Sequence, residues 1–415
     1  SAQSRAVMHM DDVGHSKAAV HLAMLINLLS IGSLMMVMPL GPDLVRHLGM
    51  QASHVGYISG GATLASALSM ALAAPWLDRL KRKQALVILL TLRFSLLMAC
   101  SMTSSAEQLI LLFVLSGLVA GPMGALLMAS MLDIIPPAER GRKLAYIGMG
   151  FSLAAIVVVP LALELALRWS WQAPFIVFGG LGLALALMCH LLLHIQASAS
   201  RHSGSVLPLL KSPLCLGALA ITALQIFGHF LLVPHFSNYF QFNLNFPREQ
   251  IGLLFLCGGL ASLAAMRLGG IWIDRGQALT VILLSSFGLA LTTLLGFATP
   301  IGLSIYLVFV LFMAASAVRT NSSMTIAAAI PPPHQRAAFM AFQGTVSNVA
   351  AGLGSLFSAL YLSTGADNQL QGFNQLSGFY VVVGILTGVG MWLLQRGIRR
   401  RDAASHTAGI KTQAG

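Results

Sequence analysis

Arginines and a histidine lie inside long apolar stretches of the sequence, where charge is costly. Arg319 is followed directly by Thr320 and Asn321, while Arg93 and His229 stand among mostly apolar neighbours. A charge at the centre of a membrane-spanning helix costs about 2.5 to 3.5 kcal/mol on insertion scales, so its presence is a sign of function. These five residues form our candidate ligand-binding set, with Arg319 at its centre. For Arg319 the alternative is a structural pairing between helices. For Arg93 it is pairing or snorkelling to a polar boundary.

Carboxylates are almost absent from the same stretches. Glu164 is the one acid within an apolar stretch, and the other eleven lie at the ends of stretches or between them. A central arginine without a central carboxylate favours an anionic or zwitterionic ligand over a lipophilic cation. Proton transfer would then fall to His229, His235 or Glu164, since an imidazole titrates near neutral pH. The alternative for a lone buried histidine is a hydrogen-bonded packing residue.

A charged segment at residues 74–83 interrupts the apolar pattern and has a copy further along the chain. Asp78 and Arg79 recur as Asp274 and Arg275, 196 positions later. A shared offset across several matches indicates a duplicated unit, read twice in the same direction. At the same offset, the Pro-Pro pair and the arginine that follow in each copy are Pro136, Pro137 and Arg140, and Pro332, Pro333 and Arg336.

Composition places the chain in a membrane. Of the 415 residues 57% are hydrophobic and 9% charged, and the mean hydropathy is +0.82, which is outside the range of soluble globular chains. The four cysteines lie in apolar runs without paired spacing, so neither disulfides nor a zinc site is predicted. The 20 methionines are interpreted as gap-fillers in apolar helices rather than copper ligands. We predict no metal and no cofactor.

Twelve apolar stretches are long enough to cross a bilayer, which needs about 20 residues of helix for its hydrocarbon core of about 30 Å. Helices are predicted because an unclosed strand would leave backbone groups unpaired in lipid. The sequence thus predicts an all-α membrane protein with twelve transmembrane helices in two parallel, pseudo-repeated six-helix bundles. The stretches are 19–41, 54–77, 85–104, 108–132, 144–167, 174–195, 213–236, 250–273, 279–298, 302–328, 338–362 and 377–395.

The distribution of Lys and Arg among the connections predicts the orientation. Placing both termini on one side puts 18 bases there and leaves three, Arg46, Arg168 and Arg248, on the other. Because bases favour the cytoplasmic side, both termini are predicted to be cytoplasmic in a multi-pass protein of the inner membrane. Bases spread over short loops have no domain to present them to nucleic acid, so a nucleic-acid partner is not expected.

The domain bounds follow from the same pattern. We predict an N-terminal bundle over 1–195, a cytoplasmic linker rich in serine over 196–212, a C-terminal bundle over 213–398 and a cytoplasmic tail over 399–415. The polar ends, 1–16 and 402–415, are expected to be irregular.

Two six-helix halves with this loop resemble the major facilitator superfamily of secondary transporters. The family pattern between its second and third helices is Gly-x-x-x-Asp-Arg-x-Gly-Arg-Lys, with Ala74 and Lys81 here in place of the two glycines. Residues 133–141 are similar to the family's linker between helices 4 and 5, and residues 39–49 and 169–175 are similar to its drug and metabolite exporters. The residues that match the pattern are Asp78, Arg79, Arg82 and Lys83.

The resemblance implies a substrate cavity near the bilayer midplane, reached in turn from each side, in a monomer whose partners are a small molecule, the lipid bilayer and, as a coupling ion, a proton. It also implies that the charged loops latch the cytoplasmic side shut. The alternative is that the bases only mark topology. The expected gating residues are Asp78, Arg79, Arg82, Asp133, Arg140, Asp274, Arg275 and Arg336.

The branch resemblance favours efflux of a small organic anion, zwitterion or drug. Proton-coupled uptake of an organic acid and a non-transporting membrane receptor stay open as alternatives. An enzyme is not expected, because no intramembrane acid pair, metal set or nucleophile with a partner is visible. A channel is disfavoured, since a duplicated chain with conformational latches suits gated alternation.

Overall fold

The computed structural model describes residues 2–77, 79–195 and 207–413, with the side chains of 14–77, 79–195 and 207–411. Long helices account for most of it, because apolar runs in lipid can satisfy their backbone groups only within the helix. The first six are α1 (Ala2–Met35), α2 (Val55–Leu77), α3 (Arg82–Ala99), α4 (Ala106–Ile134), α5 (140–168) and α6 (Ala173–Leu192).

The second half repeats this order after the linker. Its helices are α7 (Pro213–Leu232), α8 (Ile251–Asp274), α9 (Ala278–Ala298), α10 (Ile305–Ala328), α11 (Arg336–Tyr361) and α12 (Phe373–Gln413). Short helices flank them, among them Gly41–Leu48 after α1 and Leu207–Leu210 before α7. A two-stranded hairpin, β1 (Ser363–Thr364) and β2 (Leu370–Gln371), joins α11 to α12.

Eleven helices in the described ranges are long and apolar enough to cross a membrane. The twelfth predicted span, 338–362, is α11, a helix of 26 residues. At 1.5 Å per residue it is about 39 Å long, enough to span the hydrocarbon core. Its apolar content is diluted by polar residues, among them Gln343, Ser347 and Asn348. The all-α membrane fold with repeated halves is therefore confirmed.

Both described ends differ from the expectation of irregular chain. Helix α1 begins at Ala2, and α12 continues through the predicted tail to Gln413. The tail is rich in arginine and alanine, which are strong helix formers. Arg401 also anchors it, because its Nη1 donates a hydrogen bond of 2.6 Å to the Ile330 carbonyl.

Two of the twelve long helices contain a π turn, and a third π turn in the described residues, Tyr239–Asn243, follows α7. One covers Ala154–Val158 within α5, and the other covers Leu294–Ala298 at the end of α9. Such a turn holds one residue more than an α-helical turn and is common at functional positions.

Glycines let α2 and α4 approach closely. A Cβ added at Gly117 or Gly121 would overlap the backbone oxygen of Ala62 or Ser66. Small residues at such contacts allow close van der Waals packing between helices. This packing drives helix association in lipid, where the hydrophobic effect between helices is weak.

The chain forms two compact units, which do not follow the two sequence halves throughout. The first unit comprises Ser1–Arg201, Pro234–Leu256 and Ala359–Leu370, so it takes in three chain segments. The second comprises His202–Val233, Cys257–Ser358 and Gln371–Gly415. The segments around the α7–α8 and α11–α12 connections thus pack with the first half. The predicted bounds at 195, 212 and 398 stay a prediction.

The second unit has an apolar cluster at the end where α9 begins. Leu209 of the short helix before α7 is buried there with Ile282, Ile326, Phe339 and Leu394. The end of the linker is therefore held by burial of Leu209 in the second unit.

Candidate substrate and gating sites

Arg319 lies on α10 in the second unit and is 1% exposed. Its Nη2 donates a hydrogen bond of 3.2 Å to the Tyr380 hydroxyl, and its guanidinium carbon lies 5.7 Å from the centre of that ring. Its Nε has no hydrogen-bond partner among the described residues. The only acids in the sequence of this unit are Asp274 and Asp402, both exposed. Arg319 is thus a buried cation whose unit offers no buried carboxylate.

His229 of α7 reaches the same aromatic cluster. Its ring stacks on Phe312 with centroids 5.9 Å apart, and Phe312 in turn contacts Tyr380 at 5.9 Å. The His229 Nδ1 is buried and finds no hydrogen-bond partner in the described chain. The structure therefore brings His229 and Arg319, from two different helices, to one Phe312–Tyr380 pair.

Two amide side chains extend this polar interior. The Gln225 Nε2 of α7 donates to the Ser323 Oγ of α10 at 3.1 Å, and the Gln343 Nε2 of α11 donates to the Thr222 Oγ1 of α7 at 3.1 Å. None of these four residues is among the predicted site residues. A signal was present, since Thr222, Gln225 and His229 share one face of α7 by their spacing of three and four residues.

The structure places Thr320 and Asn321 on other faces of α10 than Arg319. Asn321 is exposed, and Thr320 is only half-buried. Successive residues of an α-helix are turned by about 100°, so a residue two positions on points to nearly the opposite side. Buried Ser316 and Ser323, three before and four after Arg319, occupy its face instead.

Arg93 of α3 is fully buried in the first unit and makes local contacts. Its Nη2 donates to the Ser33 Oγ at 2.8 Å and the Ser30 carbonyl at 3.4 Å, both on α1. The guanidinium carbon also lies 5.5 Å from the centre of the Phe94 ring. Arg93 is thus placed in the contact of α3 with α1, apart from the Arg319 cluster of the second unit.

The end of the first unit that is predicted to face outward carries an ion pair that sequence reasoning missed. Arg248, just before α8, donates from Nε and Nη2 to the two Asp43 carboxylate oxygens, each at 2.8 Å. The Arg248 Nη2 also donates to the Leu163 carbonyl of α5 at 2.9 Å. Arg46 donates to the Gln241 Oε1 at 2.8 Å and lies 3.5 Å from Asp43. We call Asp43, Arg46, Gln241 and Arg248 the outer cluster.

Further hydrogen bonds surround the outer cluster. The Ser237 Oγ donates to the Pro39 carbonyl at 2.7 Å, and the Asn238 Nδ2 donates to the Ala52 carbonyl at 2.8 Å. From the α11–α12 hairpin, the Thr364 hydroxyl lies 3.0 Å from the Ser53 hydroxyl. These contacts join residues 186 to 311 positions apart, so no local sequence pattern could reveal them.

The charged loop after α2 makes its contacts at the opposite end of the same unit. Arg82 forms an ion pair with Asp133 and donates to the Ala129 carbonyl at 2.8 Å. Arg140 donates to the Leu132 carbonyl at 2.9 Å. Three predicted gating residues, Arg82, Asp133 and Arg140, are therefore gathered at the end of α4. Arg79 lies over the ring of Trp76 at 5.2 Å, and Asp78 lies outside the described residues.

The second copy of this loop is built differently. Asp274, Arg275 and Arg336 are exposed and form no ion pair or side-chain hydrogen bond in the ranges that the structure describes. The sequence explains the difference, because alanines, Ala278 and Ala329, stand 196 positions after Arg82 and Asp133. The second copy of the loop therefore keeps the sequence motif but lacks the counterpart of the Arg82–Asp133 ion pair.

The proton-transfer candidates are dispersed. The Glu164 carboxylate on α5 lies 3.5 Å from Arg168 and against Gly252 at the beginning of α8, in the first unit. His235 is buried in the turn after α7, also in the first unit. His229 belongs to the second unit, so of these three only His229 shares the Arg319 cluster.

Comparison with known proteins gives these sites a family context. The sequence is 23% identical over 244 residues to a chloramphenicol efflux pump of Mycobacterium tuberculosis, matching 58% of this chain and 59% of the pump. It is 28% identical over 143 residues to a probable sugar efflux transporter of Helicobacter acinonychis, matching 34% of this chain and 37% of that protein. The chain thus spans about three fifths of the length of the first relative and less of the second.

A solved structure and a family profile agree on the fold. A bacterial homologue of the human lysosomal transporter Spinster, in an inward-facing and occupied conformation, superposes with a TM-score of 0.75 at 14% identity, covering 92% of this chain and 97% of that one. The profile of the Major Facilitator Superfamily matches residues 22–243 and again 218–413. With two such matches over an all-α membrane fold of repeated halves, the chain belongs to the Major Facilitator Superfamily of secondary transporters.

Proposed function

We propose that this transporter exports a small anionic or zwitterionic organic solute and that Arg319 binds the anionic group. The main support for this proposal is the buried Arg319 guanidinium, which has one neutral hydroxyl partner and no buried carboxylate in its unit. A buried charge without a counter-charge is costly, and a ligand carboxylate or phosphate would supply that charge. The planar guanidinium also suits bidentate binding of either group.

The neighbours of Arg319 supply the remaining polar contacts of the proposed site. The Tyr380 hydroxyl fixes one edge of the guanidinium, and His229 stacks on Phe312 beside it. The amides of Gln225 and Gln343 add hydrogen-bonding groups on the facing helices. An aromatic and amide lining fits a compact organic solute that carries one anionic group.

The outer cluster is proposed as the closed outer gate. Asp43 and Arg248 are 205 positions apart in the chain and come from its two halves. An outward-open state must separate such segments, so this pair would break and re-form once in each cycle. The hairpin contact of Thr364 with Ser53 would open together with it.

Export, rather than uptake, is supported by the two relatives that are named efflux proteins. Among the proton-transfer candidates, His229 is favoured because it contacts the Arg319 cluster and its Nδ1 is unpartnered in the described chain. The positive charge of a protonated His229 would be repelled by Arg319 nearby. An anionic ligand bound between them would reduce that repulsion and so favour the protonated form of His229. Binding of the proton at His229 and of the anionic group at Arg319 would therefore be positively linked.

The test is transport by the full chain in proteoliposomes, with and without an imposed pH gradient, over a panel of organic anions, zwitterions, cations and sugars. Ligands are first chosen by their effect on thermal unfolding, because a ligand that binds the folded state stabilises it. We expect Arg319→Gln to weaken anion binding by about 10- to 150-fold, the range for losing a charged hydrogen bond.

Matched variants separate the charge from the fold. Arg319→Lys keeps the charge and should retain part of the activity, and Arg142→Gln removes an arginine whose side chain is 80% exposed and should retain all of it. Full anion transport by Arg319→Gln, or transport limited to cations, would overturn the assignment of Arg319. Equal rates with and without a pH gradient would overturn proton coupling.

A further inference from the structure

An open groove of about 390 Å³ runs along the second unit between α8, α9 and α10. Small residues form its floor, namely Ala265 and Gly269 of α8 and Ala314 and Ala315 of α10. At Gly269 an added Cβ would lie 3.2 Å from a Val318 methyl, so the floor is already in contact there. The volume is within the range of ligand sites, which is about 300 to 1,000 Å³.

The walls of the groove are large apolar side chains that are open on their outer sides. Leu268 is 63% exposed, Trp272 47% and Leu284 62%. Exposed apolar side chains on membrane-spanning helices face the hydrocarbon, so this groove opens to lipid. An occupant must therefore be apolar over most of its length.

The groove is elongated along the helix axes. Trp272 lies two residues from the end of α8, whereas Ala314 lies 14 residues from the end of α10 at Ala328. At 1.5 Å per residue these positions are about 3 Å and about 21 Å from the helix ends. A chain lying in the groove would run parallel to the helices, as an acyl chain does in a bilayer.

Exposed arginines lie at the end of the second unit where α8 ends and α9 begins. Arg275 is exposed directly after α8. Ile398 of α12 packs on the apolar cluster that contains Ile282 of α9, and Arg399 and Arg400 follow it, both exposed. None of these three arginines has an ion pair or side-chain hydrogen bond in the described part of the chain. These three arginines outnumber Asp274, the acid next to Arg275, so this end of the second unit carries a net positive charge.

We propose that this groove binds an anionic phospholipid, with one acyl chain between α8, α9 and α10 and the phosphate among Arg275, Arg399 and Arg400. The chain fits an apolar, lipid-facing groove floored by small residues. The headgroup meets basic residues close to a membrane-spanning helix end, which attract anionic lipids. Trp272 lies at the polar boundary, where its ring is favoured.

The experiment compares phosphatidylglycerol with phosphatidylcholine of the same acyl chains, added to the purified full-length protein in detergent. Bound lipid is counted by native mass spectrometry, and the thermal unfolding midpoint is followed in parallel. We expect more phosphatidylglycerol than phosphatidylcholine to remain bound and the unfolding midpoint to rise further. Glycerol phosphate, which has the headgroup phosphate without chains, should leave the midpoint unchanged.

Two variants address the two parts of the site. Ala315→Leu fills the groove and should lower phosphatidylglycerol binding by about tenfold or more, as expected for a blocked acyl site. Arg275→Gln is on the surface, will not disturb packing and should lower the preference for phosphatidylglycerol by about fivefold, the effect of one base at a membrane surface. Ala264→Leu, on an exposed position of α8 outside the groove, is the matched control and should bind as the original protein does.

The proposal is overturned if both lipids bind equally, if glycerol phosphate stabilises as much as the phospholipid, or if Ala315→Leu and Ala264→Leu bind alike. Should Ala315→Leu fail to fold, Arg275→Gln and the lipid comparison decide: an unchanged lipid preference in Arg275→Gln rejects the headgroup site.

Discussion

The two ends of the first unit are held together in different ways. At the end that is predicted to face outward, called the outer end below, Asp43 binds Arg248, a residue 205 positions away in the other sequence half. At the opposite end, called the inner end, Arg82 binds Asp133, 51 positions away within the same half. One ion pair therefore ties two halves of a duplicated chain, whereas the other stabilises a single half.

This difference assigns the two pairs different consequences. A contact within one half can persist through a conformational cycle, because that half moves as a body. A contact between halves must be broken whenever the outer end opens. The outer pair is therefore expected to control the conformational equilibrium, and the inner pair the local stability of the α2–α5 region.

The largest effect is expected from a covalent link at the outer end. The Ser53 and Thr364 hydroxyls lie 3.0 Å apart, so cysteines at both positions are close enough for a disulfide. Ser53→Cys with Thr364→Cys should lose all transport in proteoliposomes after oxidation and regain it after reduction. Either cysteine alone is the control. Undiminished transport by the oxidised double variant would show that this contact does not open during the cycle.

Removing one member of the outer pair should have the next largest effect. Asp43→Asn leaves Arg248 with its side chain 12% exposed and without a carboxylate, and such losses cost about 3 to 5 kcal/mol. We expect outward-facing states to gain population, measured as faster labelling of Ser237→Cys, a position 1% exposed, by a membrane-impermeant maleimide. The double change Asp43→Asn with Arg248→Gln should recover part of the loss, and identical labelling in all variants would contradict the gate.

A smaller effect is expected at the inner end. Arg82→Gln removes a charged hydrogen bond from Asp133 and should lower the free energy of unfolding by about 1.5 to 3 kcal/mol. Labelling of Ser237→Cys should stay unchanged, because the Arg82–Asp133 pair lies within one half. Faster labelling would mean that the inner pair also acts as a latch between conformations.

The smallest effect is expected in the second copy of the loop. Asp274→Asn changes an exposed carboxylate without an ion pair in the described structure, and such changes stay within about 0.5 kcal/mol. Thermal unfolding and transport should both match the original protein. A clear loss of transport would assign Asp274 a partner in another conformation and restore the symmetric latch that the duplication suggests.

The helices could be predicted because a membrane-spanning helix is identified by the length of its apolar stretch alone. Eleven of the predicted spans have a counterpart among the described helices whose polar content is low, and α11 is weaker because Gln343, Ser347 and Asn348 interrupt it. The inner ion pair could be anticipated as well, since Arg82 and Asp133 belong to short motifs at helix ends. Both predictions depend on information within one stretch of chain.

The outer cluster and the partners of Arg319 were beyond that reach. Tyr380 lies 61 positions from Arg319, and nothing near either residue identifies the other. The burial of Arg319 could be predicted from its apolar neighbours. Which polar residue shares its face of α10, Asn321 or Ser323, depends on the rotation of about 100° per residue along the helix. Asp43 looked like an ordinary loop acid, because its partner is chosen by how α8 begins rather than by its own neighbours.

The π turn at Ala154–Val158 lies in the helix that also contacts the outer cluster. Leu163, whose carbonyl accepts from Arg248, lies a few residues beyond it on the same helix. Converting that turn to α-helical hydrogen bonding would remove one residue from the turn and swivel everything beyond it by about 100° about the helix axis. The Leu163 carbonyl would then point away from Arg248. A shift of one residue within α5 would therefore be enough to break the hydrogen bond between α5 and the outer cluster.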